Sequence, residues 1–152
     1  MKRLLLLLLA LLASPALADP VKVDGGLIDG KELANGVTGW FGVPFAKPPL
    51  RDLRWRAPQP VEPWQGVFHA DRFAPMCLQS LRSRTMNHYF GNEAISEDCL
   101  YLNVWAPRDA AGKKLPVVVW VYGGGLNVGL ASKAHYRGGV SGQGGGRWFS
   151  SG

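Results

Sequence analysis

Cysteine is scarce in this chain. Cys77 and Cys99 are the only two in 152 residues, and there is no C-x-x-C pair or Cys/His cluster. That excludes a zinc finger or ribbon, which needs four closely spaced N or S ligands, and no metal or cofactor is expected. No N-x-[ST] sequon occurs, so N-glycosylation is not indicated. Dense basic runs are also missing. The formal charge is +6, but its carriers are scattered, and a nucleic-acid surface needs a patch or stripe. Long apolar runs are absent too. Leu4 to Leu12 is far shorter than the ~20 residues of a membrane-crossing helix, and no stop-transfer pattern follows it.

The first 18 residues, "MKRLLLLLLALLASPALA", have a basic start, an apolar centre and an A-x-A-like end. They read as a secretory signal cleaved after Ala18, which places the chain in a secreted or periplasmic setting with no membrane association afterwards. Removing Lys2 and Arg3 lowers the formal charge to +4, because no acidic residue precedes Asp19. In an oxidising compartment a Cys77–Cys99 disulfide is the default. Closing its loop contributes roughly 3 kcal/mol in the chain-entropy model. Two free buried thiols are the other reading.

What the chain does have is glycine, 20 residues, and proline, 11. Asp19 to Phe45 is rich in glycine with short alternating pieces, and predicts a small antiparallel sheet or meander. Lys47 to Trp64 carries five prolines and predicts extended coil, anchored by Leu53, Trp55 and Trp64. Phe68 to Phe90 has no clean period, and one short helix is expected there. In "EDCLYLNVWAP", Leu100, Leu102 and Val104 alternate with Tyr101, Asn103 and Trp105, which predicts a strand stopped by Pro107. Val117 to Val121 is apolar at every position, as in a strand buried on both faces of an α/β sheet.

That last strand runs into Gly123-Gly124-Gly125. Successive glycines let the backbone turn sharply and leave its N–H groups open to an approaching atom. Two such donors can hold the negative oxygen of a tetrahedral intermediate. The same three glycines can equally be a plain turn, and the motif by itself leaves both readings open.

Other blocks carry more. "GWFGVPFAKPPLRDLRW", "PWQGVFHA", "SEDCLYLNVWAP" and "LPVVVWVYGGG" occur in that order. Together they resemble the type-B carboxylesterases, the cholinesterase-like family of the α/β-hydrolase fold, over residues 21 to 136. The resemblance implies the N-terminal part of that fold. This would be a mixed, mostly parallel sheet with a small N-terminal antiparallel sheet, left incomplete. It implies serine hydrolysis of small-molecule carboxylic esters. It gives Gly124 and Gly125 the oxyanion-binding N–H groups, with Gly123 supporting the turn. Tyr122 stands where His is commoner and Leu126 where Phe is usual, which bears on the acyl pocket. Cys77 and Cys99 match the family's first disulfide, and Arg54 and Glu97 match a buried ion pair near the base of the gorge. Breaking such a pair costs about 3–5 kcal/mol.

The family's nucleophile lies in a G-x-S-x-G elbow, followed by an acid and a histidine. None of these is found here. Ser141 is not in an elbow, and His69, His88 and His135 read as surface or structural. The 152 residues alone are therefore expected to be inactive. The alternative is a non-catalytic esterase-like binding or adhesion domain. After Tyr136 the resemblance stops, and residues 137–152 read as an aberrant glycine-rich tail. A frameshift near Gly142 to Gly146 is expected, because codons for Trp148, Phe149 and Ser150, read one nucleotide earlier, can encode apolar residues; a genuine glycine-rich tail is the other reading. Three segments are thus expected: a signal at 1–18, an esterase portion at 19–136 and the tail. In that reading the strand Val117 to Val121 lacks parallel neighbours and the chain folds poorly.

Overall fold

The computed structural model describes residues 19–79, 94–125, 127–132 and 147–151. The signal segment, most of the expected short helix, and His88, Leu126, His135 and Ser141 fall outside them. In chain order the strands are β1 (Val21–Val23), β2 (Gly26–Asp29), β3 (Lys31–Glu32), β4 (Val37–Pro44), β5 (Val67–His69), β6 (Met76–Cys77), β7 (Ile95–Ser96), β8 (Tyr101–Pro107), β9 (Val117–Val121) and β10 (Arg147–Ser151).

The main sheet runs β3-β4-β8-β10-β9. It is mixed: β3, β4, β8 and β10 pair antiparallel, and β10 pairs parallel with β9. A second sheet, β1-β2-β5, joins an antiparallel hairpin to a parallel third strand. A short parallel pair, β6 with β7, lies beside the cysteines.

The β4–β8 pair is the centre of the described fold. Its register shifts between Trp40 and Val43, where Gly42 adopts φ +64°. A Cβ at Gly42 would lie 2.8 Å from the Arg72 carbonyl oxygen, so glycine is required there on two counts. The shift frees the Gly42 N–H from the ladder, and the buried Asn103 side chain accepts it at 2.9 Å. On β8 the buried face is the one bearing Asn103 and Trp105, while Leu102 and Val104 are half-buried. Trp105 is 1% exposed and packs with Val37 and Phe41, whose ring also meets Phe73 at 4.6 Å. The second core cluster, Ile28, Val43 and Ala70, joins the two sheets, with Trp64 and Phe68 against it.

The segment Phe68 to Phe90, where one short helix is expected, is described only as far as Gln79 and holds most of β5 and all of β6 there; residues 80–90 lie outside the described residues. Three expectations change here. The proline-rich segment contains no strand, as expected, but Trp55 does not anchor it. Trp55 is 96% exposed at φ +60°, while Trp64 is held by its indole N–H donating to the Leu27 carbonyl. Strand β9 has a parallel neighbour after all: the backbone of 147–151 inserts between β8 and β9. Main-chain pairing asks only for N–H and C=O groups, so a tail without an apolar pattern can supply it. Last, β9 is not buried on either face among the described residues. Val119 and Val121 are 67% and 71% exposed, and Val118 and Trp120 are exposed on the opposite side. Apolar sequence records what a strand is built to meet, not what these residues alone supply.

Candidate functional site

Strand β9 delivers the chain to Tyr122 and then to the three glycines. The turn that follows is tight. Gly124 has φ +154° and Gly125 φ +61°, the first near the limit and the second well inside the region that favours glycine. The Gly124 carbonyl accepts the N–H groups of Asn127 and Val128 at 3.2 and 3.3 Å. The Asn127 side-chain amide donates to the Gly125 carbonyl at 2.7 Å. Two carbonyls are thereby tied into the loop. The N–H groups of Gly124 and Gly125 donate to no other described residue.

The space around the glycines is uneven in an informative way. A Cβ at Gly124 would sit 1.6 Å from the Val128 carbonyl oxygen, so no side chain fits. Gly123 and Gly125 face open space. At the far end, a Cβ at Gly129 would lie 2.2 Å from the Tyr122 ring. The loop therefore closes on itself, with Val128 against Gly124 and Gly129 against Tyr122. Together with Cys77, Leu78, Gln79 and Val121 it lines an open cleft of ≈ 450 Å³. Burial pushes the Tyr122 phenol pKa above its ordinary value.

The other expected residues are placed as follows. Cys77 and Cys99 form a disulfide, and Cys77 shares the cleft wall with the glycines. Arg54 Nη2 lies 2.8 Å from Glu97 Oε1, but their side chains are 53% and 35% exposed. A pair this open to water contributes at most about 1 kcal/mol, well below the buried-pair expectation. The contact is present and the expected burial is not, since nothing among the described residues covers it. His69 pairs through Nδ1 with the buried Asp29 carboxylate at 2.8 Å, within the β1-β2-β5 sheet, and does not line the cleft of the glycine loop. Among the described residues no group of three or more His, Cys, Asp or Glu side chains is placed to hold a metal ion.

Two residues at or near the site were not read from the sequence. Gln79 bonds both main-chain groups of Gly129, and Asn127 holds the Gly125 carbonyl. Neither belongs to a motif, and only the folded contact reveals them.

A family model described as "Carboxylesterase family" matches residues 18–140. The chain belongs to the carboxylesterase family. It is 43% identical over 115 residues to "Fumonisin B1 esterase" of Sphingopyxis macrogoltabida, covering 76% of this chain and 20% of that protein. It is 42% identical over 130 residues to "Carboxylesterase 1F" of Mus musculus, covering 79% and 23% respectively. Among solved structures, a "PNB esterase" superposes with a TM-score of 0.75 at 36% identity, covering 87% of this chain and 26% of that one. The fold is accordingly the N-terminal part of an α/β-hydrolase. The chain spans between a fifth and a quarter of the length of these curated relatives.

Proposed function

We propose that these residues form the oxyanion-binding portion of a carboxylic ester hydrolase with a serine mechanism. The observation that carries the reading is the Gly123–Gly125 loop. The Gly124 and Gly125 carbonyls are tied back by Asn127 and Val128, the Gly124 and Gly125 N–H groups have no described partner, and the three glycines line an open cleft. Donors fixed in this way need no rearrangement when charge develops on the substrate oxygen. In the reaction a serine oxygen attacks the ester carbonyl while a histidine takes its proton. The carbonyl oxygen becomes negative and is held by the Gly124 and Gly125 N–H groups, with Gly123 supporting the turn. The tetrahedral adduct then expels the alcohol and leaves an acyl-enzyme for water to cleave.

The 152 residues contain the hole but no G-x-S-x-G nucleophile, so alone they do not turn over an ester. The substrates are small-molecule esters, and no cofactor is involved. The leader 1–18 directs the chain to a secreted or periplasmic setting, where the Cys77–Cys99 bond persists. The test is a hydrolysis assay with a chromogenic aryl ester on two proteins. One is the 152-residue chain. The other is a chimera in which residues 19–132 replace the matching segment of a PNB-type esterase. We expect turnover by the chimera and none above background by the chain alone. A folded chimera with no turnover sinks the proposal and favours a binding role.

A further inference from the structure

A loop that holds an oxyanion must itself be held, and its own sequence cannot do all of that. Asn127 and Val128 fix the carbonyls within the turn, yet the turn ends at Gly129, a residue with no side chain to anchor it. The anchor comes from a segment fifty residues earlier. Gln79 Nε2 donates to the Gly129 carbonyl at 2.8 Å, and Gln79 Oε1 accepts the Gly129 N–H at 2.8 Å. The second Nε2 hydrogen reaches the Cys77 carbonyl at 3.2 Å. Both donor hydrogens of the amide and its oxygen are thus in use. Cys77 is in turn fixed by the disulfide to Cys99.

We propose that Gln79 is a positioning residue for the oxyanion loop: its side-chain amide pairs with Gly129 as a strand would and ties the loop to the disulfide-bearing segment. This rests on the esterase reading of that loop. The position is transmitted by contact. Gly129 is pressed against the Tyr122 ring and the Gly123 carbonyl, and its neighbour Val128 presses its carbonyl against Gly124. A shift of Gly129 therefore moves the residues on both sides of the Gly124 N–H. Glutamine suits the task because it supplies donor and acceptor together. Glutamate keeps the acceptor and loses the donor, and methionine keeps the approximate shape and loses both.

The clamp is tested first on the 152-residue chain, by amide hydrogen exchange at Gly129 with Trp40 and Val104 as reference amides. Gln79→Met accelerates Gly129 exchange roughly tenfold or more, the loss expected of one hydrogen bond in a partly buried site, and leaves the reference amides unchanged. Gln79→Glu accelerates Gly129 exchange too, because the anionic oxygen that replaces Nε2 faces the Gly129 and Cys77 carbonyl oxygens. In the ester-hydrolysing chimera, Gln79→Met lowers kcat by up to about a hundredfold, as small misplacements at a reacting centre do, with KM little changed. Equal Gly129 exchange in Gln79→Met and the parent overturns the clamp. A freed Gly129 with unchanged kcat overturns its positioning role. A chimera inactive before any substitution counts against the esterase reading, and Gly129 exchange then decides the clamp alone.

Discussion

At the scale of single residues, the buried Asn103 and the half-buried Tyr101 show how local chemistry is distributed. Asn103 exists on β8 to receive the Gly42 N–H that the β4 register shift releases. Asn103→Leu leaves that N–H buried and unpaired, and should lower stability by about 1–3 kcal/mol, read as a drop in the denaturant midpoint at constant slope. A midpoint unchanged within error removes the bond from the account. Tyr101 is the second case. Burial first, then a hydrogen bond to the Asp98 carboxylate and its charge, push its phenol up to about 12. A raised pKa means the folded chain holds this proton more tightly than the unfolded chain does. The associated stability is complete below pH ~10 and is lost as pH rises through about 12. An absorbance titration should show one tyrosine ionising near pH 12 that disappears in Tyr101→Phe. If the late component persists in that variant, the assignment fails. Neither role was legible beforehand. The alternation in "LYLNVWAP" predicted the strand, but Asn103 and Trp105 proved to be its buried face because the register shift and the Phe41–Trp105 contact lie in another strand.

At the scale of elements, the strands legible in the sequence are those whose pattern is local. The strand read over Glu97 to Pro107, which begins only at Tyr101 in the structure, and Val117–Val121 were both visible, as was the glycine turn after the latter. Strands β5, β6 and β7 were not, because two or three residues carry no period and are held by partners far along the chain. The disulfide was legible because Cys77 and Cys99 are the only two cysteines in the chain. Cys77→Ser with Cys99→Ser should cost about 3 kcal/mol, the chain-entropy value for a loop of this size, seen as a lower melting temperature that reductant no longer affects. A melt as high as that of the oxidised parent contradicts a stabilising role. Strand β9 is the opposite case, where sequence anticipates more than the described residues contain. Among the described residues its outer edge has no neighbour in the sheet, and both faces are exposed. Such an edge invites pairing between chains. Val119→Lys with Val121→Lys should reduce self-association in sedimentation while changing stability by under about 0.5 kcal/mol, as exposed positions do. A large loss of stability instead means these valines are covered within the chain.

At the scale of the whole molecule, the chain spans between a fifth and a quarter of the length of its carboxylesterase relatives. Its described residues build the first strands of an α/β-hydrolase sheet, the disulfide segment beside it, and a glycine loop poised over an open cleft. Family membership was legible because "SEDCLYLNVWAP" and the glycine loop are contiguous in sequence. Gln79 was not, because its function depends on Gly129, fifty residues away. In the proposed reaction the Gly124 and Gly125 N–H groups hold the negative oxygen. Gly124→Ala tests it, since its new methyl would collide with the Val128 carbonyl and must displace the turn. The decisive measurement is kcat of the chimera with and without Gly124→Ala, each checked for an unaltered β4–β8 core by amide exchange. The account predicts a loss of about 10²–10³ in kcat, the scale of one missing oxyanion donor, with KM nearly unchanged. A Gly124→Ala chimera that hydrolyses the ester at the parent rate would contradict it.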